Sequence, residues 1–227
     1  MTDRETPDFE DSELDSDPEP EAGYVEFGYR GSNSDPLFGL LLAAAISIGL
    51  TPVVDTDPDL RYTIVWGMLA LFGVMAWLFG NAERIGEDDP LNLVWGGVFG
   101  LILSIPVLAF VGGSLTDLTN SMFEAMQIGT VLAYLIFVMP LAETLFFRGL
   151  LQPPRTFWLT ALLCTAWQLV LFFPLINSGP LPLIAGIVFL MANLLYGYVF
   201  DRNGLAAAWV CQITVNLTLL FLPFAGL

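Results

Sequence analysis

The sequence predicts an all-α fold, a polytopic membrane helical bundle of about seven transmembrane helices. Three observations predict it. Hydrophobic residues make up 56% of the chain and the mean hydropathy is +0.70, well above a soluble domain. Seven apolar runs follow one another, each close to the roughly 20 residues that cross a bilayer as a helix. Charge is segregated from them: of 23 acidic residues, twelve lie in residues 1–36, against only Arg4 and Arg30.

Residues 1–35 are rich in Asp, Glu, Pro and Ser and poor in apolar side chains, which predicts a disordered acidic cytoplasmic tail. Residues 36–227 form the transmembrane helical bundle. Its runs are 36–54, 62–80, 91–111, 128–151, 157–176, 180–200 and 205–226. Pro36, Pro90 and Pro180 stand at run starts, where a missing N–H is harmless. Pro153-Pro154 and Asn203-Gly204 supply abrupt stops. Prolines 106, 140, 174 and 182 fall inside runs and predict local kinks. Gly96 and Gly100 form a small-xxx-small pair that favours close helix packing. Arginine counting orients the bundle. With seven spans and the amino terminus cytoplasmic, Arg4, Arg30, Arg84, Arg148, Arg155 and Arg202 fall at or near the cytoplasmic face, and only Arg61 lies outside. The carboxyl terminus is then outside the cell membrane.

The formal net charge of -16 makes nucleic acid and anionic lipid poor partners. The chain has neither Lys nor His. All-Arg basic usage with acidic loops is the composition of a protein from a high-salt cytoplasm. Missing imidazoles remove the commonest metal ligand and acid–base group. Cys164 and Cys211 both lie in apolar runs and read as packed thiols, not as a disulfide framework.

The chemistry-bearing stretch is Met139–Leu151, where Glu143 and Arg148 stand five residues apart in an otherwise apolar run. An ionised group at membrane depth costs roughly 2.5–3.5 kcal/mol on insertion scales, which makes a use for it the default expectation. Depths counted at 1.5 Å per residue from the cytoplasmic helix ends bring further polar groups to the same level. Glu143 falls at about 12 Å, Gln168 at about 16 Å, Asn193 at about 10 Å, and Gln212 and Asn216 at about 10–16 Å. Gln212 and Asn216 share a helix face at i,i+4. Single intramembrane amides commonly serve as glue between helices. A layer that includes a carboxylate predicts a water-accessible cavity, with Glu143 as general base.

These residues resemble the CPBP family of intramembrane endopeptidases, the CAAX-processing and bacteriocin-processing group also called Abi, over roughly residues 128–220. The first family motif is a Glu-Glu-x-x-x-Arg within Pro-x-x-Glu-Glu-x-x-Phe-Arg-Gly. The chain reads Pro140-Leu-Ala-Glu143-Thr144-Leu-Phe-Phe147-Arg148-Gly149, with Thr144 in place of the second Glu. The second motif ends in a His, matched here by Gln168. The third is His-x-x-x-Asn, matched by Gln212-Ile-Thr-Val-Asn216. The resemblance implies a helical bundle with a cytosol-facing polar cavity around Glu143. It assigns the site to Glu143, Arg148, Gln168, Gln212 and Asn216, and implies a membrane-associated peptide or prenylated substrate. Zinc belongs to active family members. With Gln at both His positions no metal or other cofactor is expected here, and activity is expected to be reduced or lost. Three functions compete: an endopeptidase relying on Glu143 with amide donors, a non-catalytic binding, immunity or scaffold protein using the same cavity, and a small transporter. No inverted repeat favours the last.

Overall fold

The computed structural model describes residues 35–53, 57–79, 89–124, 126–176 and 179–226, and every regular element among them is helical. In chain order these are α1 (Asp35–Gly49), a 3₁₀ turn (Thr51–Val53), α2 (Pro58–Leu78), α3 (Pro90–Phe123), α4 (Ile128–Leu151), α5 (Phe157–Ile176) and a 44-residue stretch, Leu181–Phe224. Gly204 interrupts that last stretch with φ 86° and ψ 179°, a conformation open to glycine and strained for other residues. The parts on either side are α6 (residues 181–203) and α7 (residues 205–224). The acidic tail lies outside the described residues except for Asp35, where α1 begins. Arg4, Arg30 and Arg84 of the orientation count also lie outside them.

Local chemistry sets the helix starts. Asp57 and Asp89 accept hydrogen bonds from the backbone N–H groups of Leu60 and Leu91, at 3.0 and 2.9 Å, and Pro58 and Pro90 follow in the first turn. This cap moves the start of α2 ahead of its expected position at 62.

Among the described residues five helical stretches are long and apolar enough to cross a membrane. The expected count was about seven. Two features account for the difference. The apolar part of α1, Pro36–Gly49, is short, and the last two predicted runs are joined in one stretch through Gly204. At 34 residues α3 would be about 51 Å long if straight, more than the hydrocarbon core needs. It departs from helical geometry at Val111 (φ -125°, ψ 16°), where the predicted run ends.

Side-chain contacts give the direction of each helix. Arg61 Nη2 donates to Ser47 Oγ at 3.1 Å, pinning the start of α2 to the end of α1, while Gly39 packs by Phe72, so the two are antiparallel. Thr63 bonds Tyr134, and Gly73 packs on Leu145, so α2 and α4 run parallel. Arg148 reaches Asn193 and Gln152 reaches Gly197, so α6 is parallel to α4. Phe157 packs at Gly197 and Gln168 bonds Asn193, so α5 is antiparallel to α6. Gln212 meets Thr144 and Asn216 meets Leu135, so α7 is antiparallel to α4. The chain therefore reverses at Gly204. Gly96 lies on Ala207 and Phe123 on Phe224, so α3 runs beside α7 in the same direction. A Cβ at Gly96 would run into the Ala207 carbonyl oxygen, which accounts for the small residue there.

The two ends of the bundle differ. One gathers Tyr62, Trp66, Phe123, Tyr134 and Phe172 into an aromatic cluster with ring centroids 5.1–6.4 Å apart. The other carries Gln152, Asp201, and the Asn203–Asn92 bond. Large apolar side chains such as Phe110, Ile102 and Leu183 are exposed on the outside, the pattern of a lipid-facing surface.

Candidate functional site

Proline 140 shapes the helix that carries Glu143. Having no N–H, it cannot sustain the ladder through the preceding turn, and α4 widens to π-helical geometry over Tyr134–Val138. The Met139 N–H bonds the carbonyl of Tyr134. That register puts Pro140 opposite the Leu135 carbonyl, where no donor is available. Asn216 Nδ2 supplies it instead, at 3.0 Å. A second π-helical segment, Thr144–Leu151, follows Glu143 directly.

Glu143 is 2% exposed and its carboxylate is held by three N–H donors from three other helices. Trp66 Nε1 on α2 donates to Oε1 at 3.1 Å. Gln168 Nε2 on α5 and Gln212 Nε2 on α7 donate to Oε2 at 2.9 and 2.7 Å. An ionised carboxylate accepts only, so both amides must turn their NH₂ groups inwards. Their oxygens then face outwards and are taken in turn. Thr144 Oγ1 donates to Gln212 Oε1 at 3.0 Å, and Asn193 Nδ2 donates to Gln168 Oε1 at 2.8 Å. Asn193 Nδ2 also reaches Thr165 Oγ1 at 3.2 Å. Asn193 Oδ1 accepts from Arg148 Nη2 at 2.8 Å, and its backbone carbonyl from the same nitrogen at 3.3 Å. The two charges of the motif are thus joined through Gln168 and Asn193. The Arg148 guanidinium lies 5.8 Å from the centre of the Tyr196 ring, a cation–π distance.

Of the five predicted site residues, the structure brings Glu143, Gln168 and Gln212 into direct contact. Arg148 reaches them only through Asn193. Asn216 is buried close by, yet its amide is used to repair the break at Pro140 and does not reach Glu143. The amides expected to line a water-accessible cavity around Glu143 bond the carboxylate and one another. A small pocket lies beside the network, lined mainly by apolar residues with Gln168, Tyr196 and Asn216 at its polar points.

Sequence reading missed Trp66, whose indole counts as apolar in a hydropathy scan. Its position one turn after Tyr62 in α2 was the available signal. It assigned no role to Thr165 or Gln152, and noted Thr144 only as the loss of a carboxylate. A zinc ion does not fit these residues. Both glutamine nitrogens point at Glu143, both oxygens already accept a hydrogen bond, and an amide oxygen is a poor zinc ligand beside a thiolate or an imidazole. Among the described residues no group of three His, Cys, Asp or Glu side chains stands close enough to bind one.

No family model, curated protein or solved structure gives a significant match to this chain.

Proposed function

We propose that this protein is a non-hydrolysing homologue of the CPBP intramembrane endopeptidases, retained in the membrane as a binding or scaffold protein. In this reading it crosses the bilayer seven times, with the amino terminus cytoplasmic and the carboxyl terminus outside. The reversal at Gly204 and the alternating directions of α1 to α7 support that path. Arg155 and Arg202 then lie at the cytoplasmic end and Arg61 at the outer one.

The observation that carries the functional reading is the set of three N–H donors on Glu143. A general base must present a lone pair to a water that itself faces the substrate. Here the carboxylate is buried and three of its four lone pairs are directed at Trp66, Gln168 and Gln212. Neither glutamine can carry a proton as an imidazole does near neutral pH. The same residues serve a structural purpose: they satisfy a charge that would otherwise be costly at this depth and tie four helices together. In this reading a membrane-embedded peptide or lipid tail docks against the mainly apolar pocket lined by Met139, Val188, Phe189, Val215, Leu219 and Leu220, which must open to admit it.

Two measurements test the reading. Purified protein in lipid nanodiscs, offered prenylated and bacteriocin-leader peptides, should release no cleavage product, with or without chelator. Sustained, chelator-insensitive cleavage by the unmodified chain would overturn it. Reporters fused after residues 30 and 227 should read cytoplasmic and external respectively. Both on the same side would remove the seven-span path.

A further inference from the structure

Helix α3 changes its surroundings part-way along. From Pro90 to Phe110 it rises about 30 Å, the thickness of the hydrocarbon core. Over that length its exposed side chains are apolar, among them Ile102, Ile105 and Phe110 at 62%, 61% and 89% exposure. Beyond Val111 the exposed positions are Gly113, Asp117, Asn120 and Glu124, whereas Leu115, Leu118, Thr119, Met122 and Phe123 are buried. The buried set recurs at the i, i+3, i+4, i+7 spacing of an amphipathic helix packed on a protein surface. Its opposite face, with an aspartate and an asparagine, belongs in water and not in lipid. The helix therefore leaves the hydrocarbon at Phe110, and residues 112–123 lie across the end of the bundle.

The change falls at a joint. Val111 departs from helical geometry, and Gly112 and Gly113 follow it. A Cβ at Gly113 would meet nothing within 4 Å, and one at Gly112 only Leu108 of the same helix, so no neighbouring helix requires either glycine. Beyond the joint the segment is held by few named contacts. Tyr62 OH donates to the Met122 carbonyl at 2.8 Å. Phe123 meets the rings of Tyr62, Phe172 and Phe224 at centroid distances of 6.3, 6.4 and 5.8 Å. Phe172 in turn stands 5.8 Å from Phe189, which lines the pocket beside the Glu143 network. A single ring thus separates the segment from the pocket wall.

We propose that residues 112–123 are a strap outside the hydrocarbon that swings about Gly112-Gly113 and uncovers the Phe172–Phe189 side of the pocket. The need for such an opening rests on the binding reading above; the place of the strap and its joint do not. Opening from this end leaves the bonds of Glu143, Gln168, Asn193 and Arg148 intact, because none of them involves α3. A ligand admitted past Phe123 and Phe172 meets aromatic rings first, which suits an apolar segment entering from the end opposite Asp201.

Thiol labelling with a charged maleimide, on the full chain in nanodiscs with Cys164→Ala and Cys211→Ala, tests it. Asn120→Cys should react freely, and Ile102→Cys, exposed to lipid, should stay protected. Leu118 and Leu135 are both 0% exposed, one on the strap and one in α4. Leu118→Cys should react about tenfold faster than Leu135→Cys. Tyr62→Phe, which removes the bond to Met122, should raise the Leu118→Cys rate several-fold. Gly112→Ala with Gly113→Ala should lower it several-fold by restricting the joint. Neither change should alter the rate at Leu135→Cys, which reports unfolding of the whole bundle. A protected Asn120→Cys would overturn the proposal, as would equal rates at positions 118 and 135 or a Leu118→Cys rate indifferent to the glycines. No ligand or cleavage enters the measurement, so its failure leaves the non-hydrolysing reading standing, and cleavage by the parent chain would leave the strap standing.

Discussion

Helices α3 and α4 are both long and strongly apolar, but they occupy opposite environments. The most apolar window of α3 has a mean hydropathy of 2.2 and is 17% buried; that of α4 has 1.9 and is 61% buried. In a membrane the more hydrophobic helix is the more peripheral one, because lipid is as apolar as any protein core. Helix α3 presents Leu101, Ile102, Ile105 and Phe110 outwards and meets the bundle through Gly96, Gly100 and Ser104. Helix α4 turns inwards the charges that lipid would reject. Position in the bundle follows from polar side chains and small residues, and hydropathy is a guide only to whether a segment lies in the membrane.

The largest expected effect lies at the charge of α4. Arg148→Met should destabilise the protein by about 3–5 kcal/mol, since it leaves Glu143 buried without its linked counter-charge. Denaturant unfolding in micelles measures this, and a loss below about 1 kcal/mol would mean that the relay through Asn193 carries little energy. Two glycines of α3 sharpen the comparison next. Gly96→Ala should cost about 1–3 kcal/mol, because its Cβ meets the Ala207 carbonyl. Gly113→Ala, with nothing within 4 Å, should gain about 0.5–1 kcal/mol from helix propensity. Equal responses would show that α3 does not dock on α7 as described. Asn216→Leu should cost about 1–3 kcal/mol by leaving the Leu135 carbonyl unpaired. Restoring the donor at the break by Pro140→Ala should absorb part of that loss. Smallest of all, Phe110→Ala, at 89% exposure, should change stability by less than about 0.5 kcal/mol in the same assay.

Much of the site was legible in the sequence for the same reason that hydropathy misleads about depth. Amides and carboxylates are rare in membrane runs, so counting their distance from the helix ends brought Glu143, Gln168, Asn193 and Gln212 to one level. Direction of contact was not legible. Gln212 and Asn216 share an α-helical face, yet π-helical geometry sets in at Asn216 and over Tyr134–Val138, and it sends Asn216 to a backbone carbonyl. The bonding of the amides to one another was also hidden, because amides that line a cavity and amides that bond one another have the same spacing. The helix start at Pro90 and the break at Asn203-Gly204 followed from local chemistry, whereas the start at Asp57-Pro58 was missed because the apolar run itself begins at 62. The division of Leu181–Phe224 was read from the same dipeptide that the structure bends.

The central claim is that Glu143 holds the bundle together and does not drive hydrolysis. Replacing it with Gln, side by side with the parent, is the most direct test. The carboxylate now accepts at both oxygens, and a Gln must turn its NH₂ towards Trp66 Nε1 or towards the two glutamine amides, putting donor against donor. Glu143→Gln should therefore lower the unfolding free energy by about 1–3 kcal/mol, while neither protein cleaves a membrane-embedded or prenylated peptide. A parent that cleaves such a peptide, paired with a Glu143→Gln variant of unchanged stability that does not, would contradict the account.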